Sequence, residues 1–213
     1  MPRPHPVRLA VGISDALPKL VVRRLMHPVL GEPRLRLLCH EDEFDDLLAD
    51  LALHRLDVVL ADRPAPGNPN LRLYSHALGE SAVDWYGVPR LARKAKAGFP
   101  GSLGAVPVLL PTAHSAVRAR LDAWMEARGL TPAIAGEFED SALLKAFAAD
   151  GLGVFPAARW LHRELEARYG VQRIGECEGV LERFYAIGTE RKVAHPLVHR
   201  LLAANAAAAR GSS

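Results

Sequence analysis

The hydrophobic and polar positions of the first sixty residues switch repeatedly between a period of two and a helical period. Val7-Arg8-Leu9-Ala10-Val11-Gly12 alternates and ends in glycine, which predicts a first strand. Leu17, Leu20, Val21, Leu25 and Val29 recur near helical spacing between Leu17 and Leu30, and Pro18 suits the first turn of that helix. Gly31-Glu32-Pro33 stops it, and Leu35 to Cys39 predicts a second strand. Phe44, Leu47, Leu48 and Leu51 then mark one face of an amphipathic helix, with Asp42 placed to cap it. Asp57-Val58-Val59-Leu60-Ala61 is almost wholly apolar, as expected of a parallel strand covered on both faces. This β-α-β-α-β order predicts a right-handed, open parallel sheet.

A surface turn follows at Pro64 to Asn70, then extended segments around Leu71–Leu78 and Ala82–Val88. The basic patch Arg90, Arg93, Lys94 and Lys96 reads as the solvated face of a short helix, and Gly98 to Pro107 as a linker. The α/β pattern then restarts. Val106–Leu110 predicts a strand, and Val117, Leu121, Trp124 and Met125 line the buried face of a helix that Gly129 ends. Ala133–Phe138 predicts a strand, Leu143, Leu144 and Phe147 a helix, and Gly151–Phe155 a short apolar segment. Trp160–Tyr169 reads as helical, Val171–Ile174 and Arg183–Ile187 as extended, and Leu197, Val198, Leu201 and Leu202 mark a closing helix. Two α/β series in one chain predict two Rossmann-like lobes joined by a double-strand hinge, an arrangement like that of periplasmic binding proteins. Lobe I would take residues 1–75 plus 180–213 and lobe II residues 76–179, with a ligand cleft at the carboxyl ends of the strands.

Composition narrows the function. In 213 residues, 49% are apolar and 24% charged, so a sizeable core needs neither disulfides nor metal. A net charge of +3 is too weak a field to argue for nucleic-acid binding by these residues. No apolar run is long enough to span a membrane, and MPRPHPVRLA does not read as a secretory signal, so a cytoplasmic location is expected. Cys39 and Cys177 form no C-x-x-C pair and read as small, largely buried hydrophobes in a reducing compartment. There is no G-x-S-x-G elbow, Walker loop, G-x-G-x-x-G or H-E-x-x-H, so neither catalysis nor a cofactor is expected.

Two runs carry a family resemblance. One is Gly136-Glu137-Phe138-Glu139-Asp140-Ser141-Ala142-Leu143-Leu144-Lys145-Ala146-Phe147, continuing to Gly151-Leu152-Gly153-Val154-Phe155-Pro156-Ala157. The other is Glu182-Arg183-Phe184-Tyr185-Ala186-Ile187-Gly188-Thr189-Glu190-Arg191-Lys192, followed by His195-Pro196. With Leu110–Ser115, Leu121–Trp124 and the opening Leu9–Pro18, they resemble the effector-binding domain of LysR-type transcriptional regulators, in particular activators associated with sodium/proton antiporter genes. The resemblance implies a domain that senses a cation or small molecule between its lobes and controls transcription. It also implies a homodimer, and DNA contact through an N-terminal winged helix-turn-helix. The first strand begins near residue 7, so that DNA-binding domain is expected outside these residues. A stand-alone solute-binding protein of the same fold is the alternative.

Effector contacts are expected in the loops after strands, where helix amino ends present free N–H groups. On lobe I these are Ser14, Asp15 and Asp62; on lobe II, Thr112, Ala113, His114 and Asp140, with Phe155 and Pro156 as an apolar wall. Helix capping competes with ligand contact for Ser14, Asp15, Thr112 and Asp140. A cation would require several converging oxygens; Asp15, Asp62, Glu139 and Asp140 qualify by position, with no contiguous metal motif. The resemblance also implies side-by-side pairing through the Val21–Leu30 helix, the Leu35–Cys39 strand and the Ala116–Arg128 helix. Leu37 would lie within that interface and Arg23, Arg24 and Arg120 at its rim. Trp124 and Met125 read as core.

Overall fold

A computed structural model describes residues 5–68, 70–189 and 194–210. Glu190, Arg191 and Lys192 of the second run lie outside the described residues, as does the terminal Gly211-Ser212-Ser213. In chain order the elements begin β1 (Val7–Ser14), α1 (Lys19–Met26), β2 (Leu35–Asp42), α2 (Phe44–Ala52), β3 (Val58–Ala61) and β4 (Tyr74–Gly87). They continue with α3 (Pro89–Lys96), β5 (Pro107–Pro111), α4 (Ala116–Ala127), β6 (Ala133–Phe138) and α5 (Ser141–Ala149). Last come β7 (Phe155–Ala158), α6 (His162–Tyr169), β8 (Gln172–Gly188) and α7 (Pro196–Arg210). The chain divides into two compact units, Met1–Glu80 with Arg183–Ser213, and Ser81–Glu182.

In the first unit β1 pairs in parallel with β2, from Val7 opposite Leu35 to Ser14 opposite Asp42, and with β3, Val11 opposite Val58. β3 then pairs antiparallel with β8, Val59 opposite Ile187. The sheet is therefore mixed, where the local pattern predicts a parallel one. Each residue of β3 is buried. Helix α2 lays Leu47, Leu48 and Leu51 against Ala10, Val59 and Ala61, which its period of apolar residues requires. Gly12 makes this approach possible: a Cβ there would sit 2.7 Å from Leu56 Cδ1. Helix α1 ends at Met26, short of Leu30, because Pro28 has no N–H to continue it and the chain tightens into a 3-10 turn at His27–Val29. Asp42 is the last residue of β2 and not the cap of α2. Its Oδ1 accepts the Glu43 N–H at 2.8 Å, and Glu43 occupies the N-cap without a side-chain hydrogen bond. Asn205 of α7 donates to the Leu25 carbonyl at 3.1 Å, and His195 joins the start of α7 to β1. The His195 ring accepts the Leu197 N–H at Nδ1 (3.2 Å), which leaves Nε2–H to donate to the Arg8 carbonyl at 2.9 Å.

The second unit repeats the plan. β5 pairs in parallel with β6, and its other edge meets the backbone of Val154: the Leu109 N–H donates to the Val154 carbonyl and the Val154 N–H to the Pro107 carbonyl, both at 2.8 Å. The chain continues from Val154 into β7, which pairs antiparallel with β4, Trp85 opposite Pro156. Gly153 sits where a Cβ would lie 2.8 Å from the Pro107 carbonyl oxygen. The core gathers Trp85, Leu91, Leu103, Val108, Leu121, Trp124, Met125, Val154 and Cys177. Trp124 stacks near Trp85 and Phe99, ring centroids 6.4 and 6.3 Å apart. The Gly98–Pro107 stretch is less loose than its composition predicts: Gly101–Gly104 forms a 3-10 turn that buries Leu103 completely.

The two cysteines differ. Cys177 is fully buried, and burial pushes its thiol up to about 12. Cys39, expected to be covered, is exposed, because β2 is the outermost strand of its sheet. Among the described residues no helix is long and apolar enough to cross a membrane.

Candidate functional site

In each unit the central strand lies between two parallel neighbours, and polar residues follow its carboxyl end. In the first unit that strand is β1. Ser14 ends it, and its side chain is 1% exposed. The Ser14 carbonyl accepts the Leu17 N–H at 2.9 Å, and the Asp15 N–H donates to the Asp42 carbonyl at 3.2 Å, so a tight turn holds both residues beside the end of β2. Neither occupies the N-cap of α1, which is Pro18 and makes no side-chain cap hydrogen bond. The Ser14 hydroxyl is buried and, among the described residues, has no hydrogen-bond partner. Asp62 follows β3, is 8% exposed, and accepts from Arg63 Nε at 2.9 Å; the Arg63 guanidinium also lies 5.7 Å from the centre of the Phe44 ring.

In the second unit the central strand is β5, and Thr112 follows it directly. The Thr112 N–H donates to the Phe138 carbonyl at 3.0 Å, its carbonyl accepts the Ser115 N–H at 3.2 Å, and Oγ1 accepts the His114 N–H at 3.4 Å. Thr112 therefore closes a turn, while Ser115 is the N-cap of α4 without a side-chain bond. Ala113 is exposed and His114 half-buried. Arg118 braces this loop, donating to the Pro111 carbonyl at 2.7 Å and pairing with Asp122 and Glu137. Asp140 does what a capping aspartate does: its Oδ1 accepts the Ala142 N–H at 2.7 Å at the start of α5. Phe155 is fully buried with its ring 6.0 Å from that of Tyr86, which makes it core, whereas Pro156 is half-buried. Among the described residues no three His, Cys, Asp or Glu side chains group to hold a metal.

The residues expected at an interface also separate. Arg23 and Arg24 are exposed on α1, and Leu37 is 36% exposed on the outer strand β2. Arg120 is half-buried and donates to the Leu181 carbonyl at 3.0 Å, which ties α4 to β8.

Sequence reasoning missed one polar cluster. Asp84 lies in β4 with no exposed surface, and both its carboxylate oxygens accept from Arg159 (2.8 and 2.7 Å) and from Arg173 (2.8 and 3.1 Å). Arg159 also pairs with Glu176 at 2.7 Å. Burial pushes the Asp84 carboxyl up, but the hydrogen bonds and charges of Arg159 and Arg173 outweigh it and hold the group below its ordinary value. The available signal was a single aspartate inside the apolar run Ala82–Tyr86, since a carboxylate enters such a strand only when partnered.

Comparison with known proteins adds the following. The family model described as LysR substrate binding domain matches residues 6–210. The chain is 34% identical over 193 residues to the transcriptional activator protein NhaR of Escherichia coli (strain K12), covering 90% of this chain. It spans 63% of that relative's length. Among solved structures, the regulatory domain of HypT from Salmonella typhimurium in its apo form superposes with a TM-score of 0.71 at 15% identity, covering 94% of this chain and 96% of that one. HinK, a LysR family transcriptional regulator from Pseudomonas aeruginosa, gives 0.73 at 16% identity, over 97% of this chain and 71% of that one. The reduced regulatory domain of OxyR2 from Vibrio vulnificus gives 0.68 at 16% identity, covering 95% of each.

Proposed function

The chain belongs to the LysR substrate-binding domain family, and we propose that it is the effector-sensing and dimerisation domain of a cytoplasmic transcriptional activator of the NhaR kind. In this reading the effector is a cation or small molecule, with Ser14, Asp15 and Asp62 of the first unit and Thr112, Ala113 and His114 of the second as its candidate contacts. The observation that carries it is the Ser14 hydroxyl. It is buried at the carboxyl end of a central strand, where open α/β sheets receive ligands, and helix capping does not account for it. A buried hydroxyl without a partner costs about 1–3 kcal/mol, which a ligand able to donate to it or accept from it offsets. Asp140 and Phe155 serve the site indirectly, one by fixing α5 and the other by fixing β7. Effector binding then shifts an equilibrium between two arrangements of the domain, by as much as its affinity differs between them. DNA contact and promoter choice belong to a winged helix-turn-helix outside these residues. The relatives named above are regulators, which disfavours a stand-alone solute-binding protein.

Thermal melting in sodium, potassium and lithium chloride at matched ionic strength tests the sensor. A ligand at ten times its dissociation constant stabilises by about 1.4 kcal/mol, roughly 3–6 °C at this size. A sodium-selective rise that disappears in Ser14→Ala and Thr112→Ala assigns the cation to this site. Identical melts in all three salts reject direct cation sensing and turn the same assay to small organic anions.

A further inference from the structure

Two short runs of the chain carry charges of one sign only, one run in each unit. Between residues 41 and 50 the chain carries Glu41, Asp42, Glu43, Asp45, Asp46 and Asp50 and no Lys or Arg; between residues 88 and 97 it carries Arg90, Arg93, Lys94 and Lys96 and no acid. The acidic run occupies the end of β2 and the first turn of α2, and Glu41, Asp42, Glu43, Asp45 and Asp46 are exposed. The basic run occupies α3, which buries Leu91, Ala92 and Ala95 in the core of its unit. At about 100° per residue those three fill one side of the helix, so the four cations spread over the other and all are exposed.

Three exposed arginines pair with acids of their own unit: Arg55 with Asp50, Arg128 with Glu178 and Arg183 with Glu80. Among the described residues, Arg90, Arg93, Lys94 and Lys96 form no ion pair, and neither do Glu43, Asp45 and Asp46. Helix dipoles account for part of the placement, since Asp45 and Asp46 begin α2 and Arg93, Lys94 and Lys96 end α3. They favour Glu43 at the N-cap of α2 in the same way, but they do not account for Arg90, a cation in the first turn of α3. The two surfaces are opposite in sign, and within the acidic one Glu41 already pairs with Lys19 at 2.9 Å. A net charge of only +3 leaves little overall repulsion between copies.

We propose that the cationic face of α3 in one molecule docks the acidic β2–α2 segment, Glu41–Asp46, of a second copy of this chain. The contact is electrostatic and exposed, so it is salt-sensitive, the screening length falling to about 10 Å at 0.1 M. It is distinct from the side-by-side pairing that the family resemblance implies through the Val21–Leu30 helix, the Leu35–Cys39 strand and the Ala116–Arg128 helix.

Sedimentation velocity over a concentration series, in about 0.02 M and about 0.3 M sodium chloride, tests it. At low salt an assembly larger than that seen at high salt is expected. The charge reversals R93E/K94E and D45K/D46K should each weaken that association by about tenfold or more. Combining all four reversals in one chain should restore it to within about threefold, because the two surfaces have exchanged signs. The restored variant also shows that reversed side chains do not unfold the domain. The proposal is overturned if no larger species forms at low salt or if either reversal leaves association unchanged. It is likewise overturned if the fourfold variant is not rescued; loss on reversing α3 alone would place its contact on a segment of the second copy other than Glu41–Asp46.

Discussion

Asp84 and Arg173 meet through a two-pronged contact, Nε to Oδ2 at 2.8 Å and Nη2 to Oδ1 at 3.1 Å, and Arg159 places a second fork on the same carboxylate. This fixes β4, β8 and the turn before α6 to one another inside the second unit. Replacing Asp84 with Ala removes the shared acceptor of two guanidinium groups, although Arg159 keeps Glu176 and each is about two-fifths exposed and regains some hydration. The expected loss is about 2–4 kcal/mol, below the full penalty for breaking a buried pair, or roughly 5–15 °C in Tm by calorimetry.

The same group sets an acid limit. Its carboxyl is held below the unfolded value, so its stabilisation is complete above the ordinary carboxylate range and is lost as pH falls through the lowered folded value. The melting deficit of Asp84→Ala should therefore stay constant from about pH 8 to about pH 5 and shrink only in stronger acid. A deficit that changed between pH 7 and 5 would contradict this.

Ser14→Ala separates ligand chemistry from folding. Removing a buried hydroxyl that has no partner should leave Tm within about 2 °C of the parent or slightly higher. The salt- or anion-induced rise in Tm should vanish. A large loss of basal stability would mean that the hydroxyl serves the fold.

Leu37→Glu and Arg120→Ala should part company. Leu37 is a partly exposed apolar side chain on an outer strand, so a charge there should lower the light-scattering mass at high salt toward that of one chain. Arg120 instead holds the Leu181 carbonyl, so its loss should cost about 1 kcal/mol of stability and leave the mass unchanged.

Glycine positions 12 and 153 rank in a definite order. A methyl group at Gly12 meets the far ends of Leu56 and Leu47, which can move aside, whereas one at Gly153 meets the backbone oxygen of Pro107. Gly12→Ala should cost about 1–3 kcal/mol and Gly153→Ala more, with Leu56→Ala relieving only the first. Chemical denaturation of the three single variants and the Gly12→Ala/Leu56→Ala pair decides it.

What could be read from the residues follows the range of the interactions involved. The α2 face of Phe44, Leu47, Leu48 and Leu51 was legible because a helix declares its core in a few turns, and α/β alternation was legible for the same reason. Strands β4 and β8 were each read as two short segments. Both run from one unit into the other, and polar residues such as Glu80 and Ser81, or the left-handed Gly179, interrupt their apolar pattern. Cap identities were legible only in part. Ser14, Asp15 and Asp42 have the side chains of N-caps, but capping depends on where the turn places the oxygen, and only Asp140 has it there. Asp84 was invisible because its partners lie 75 and 89 residues away.

The contrast between the two thiols makes the domain its own spectroscopic instrument. At neutral pH a maleimide dye should modify Cys39 and spare Cys177, whose thiol is both out of reach and held protonated. One fluorophore per chain would then stand on the outer strand β2, two residues from Leu37, without any engineered substitution. Energy transfer between separately labelled populations would report subunit exchange through that strand in real time.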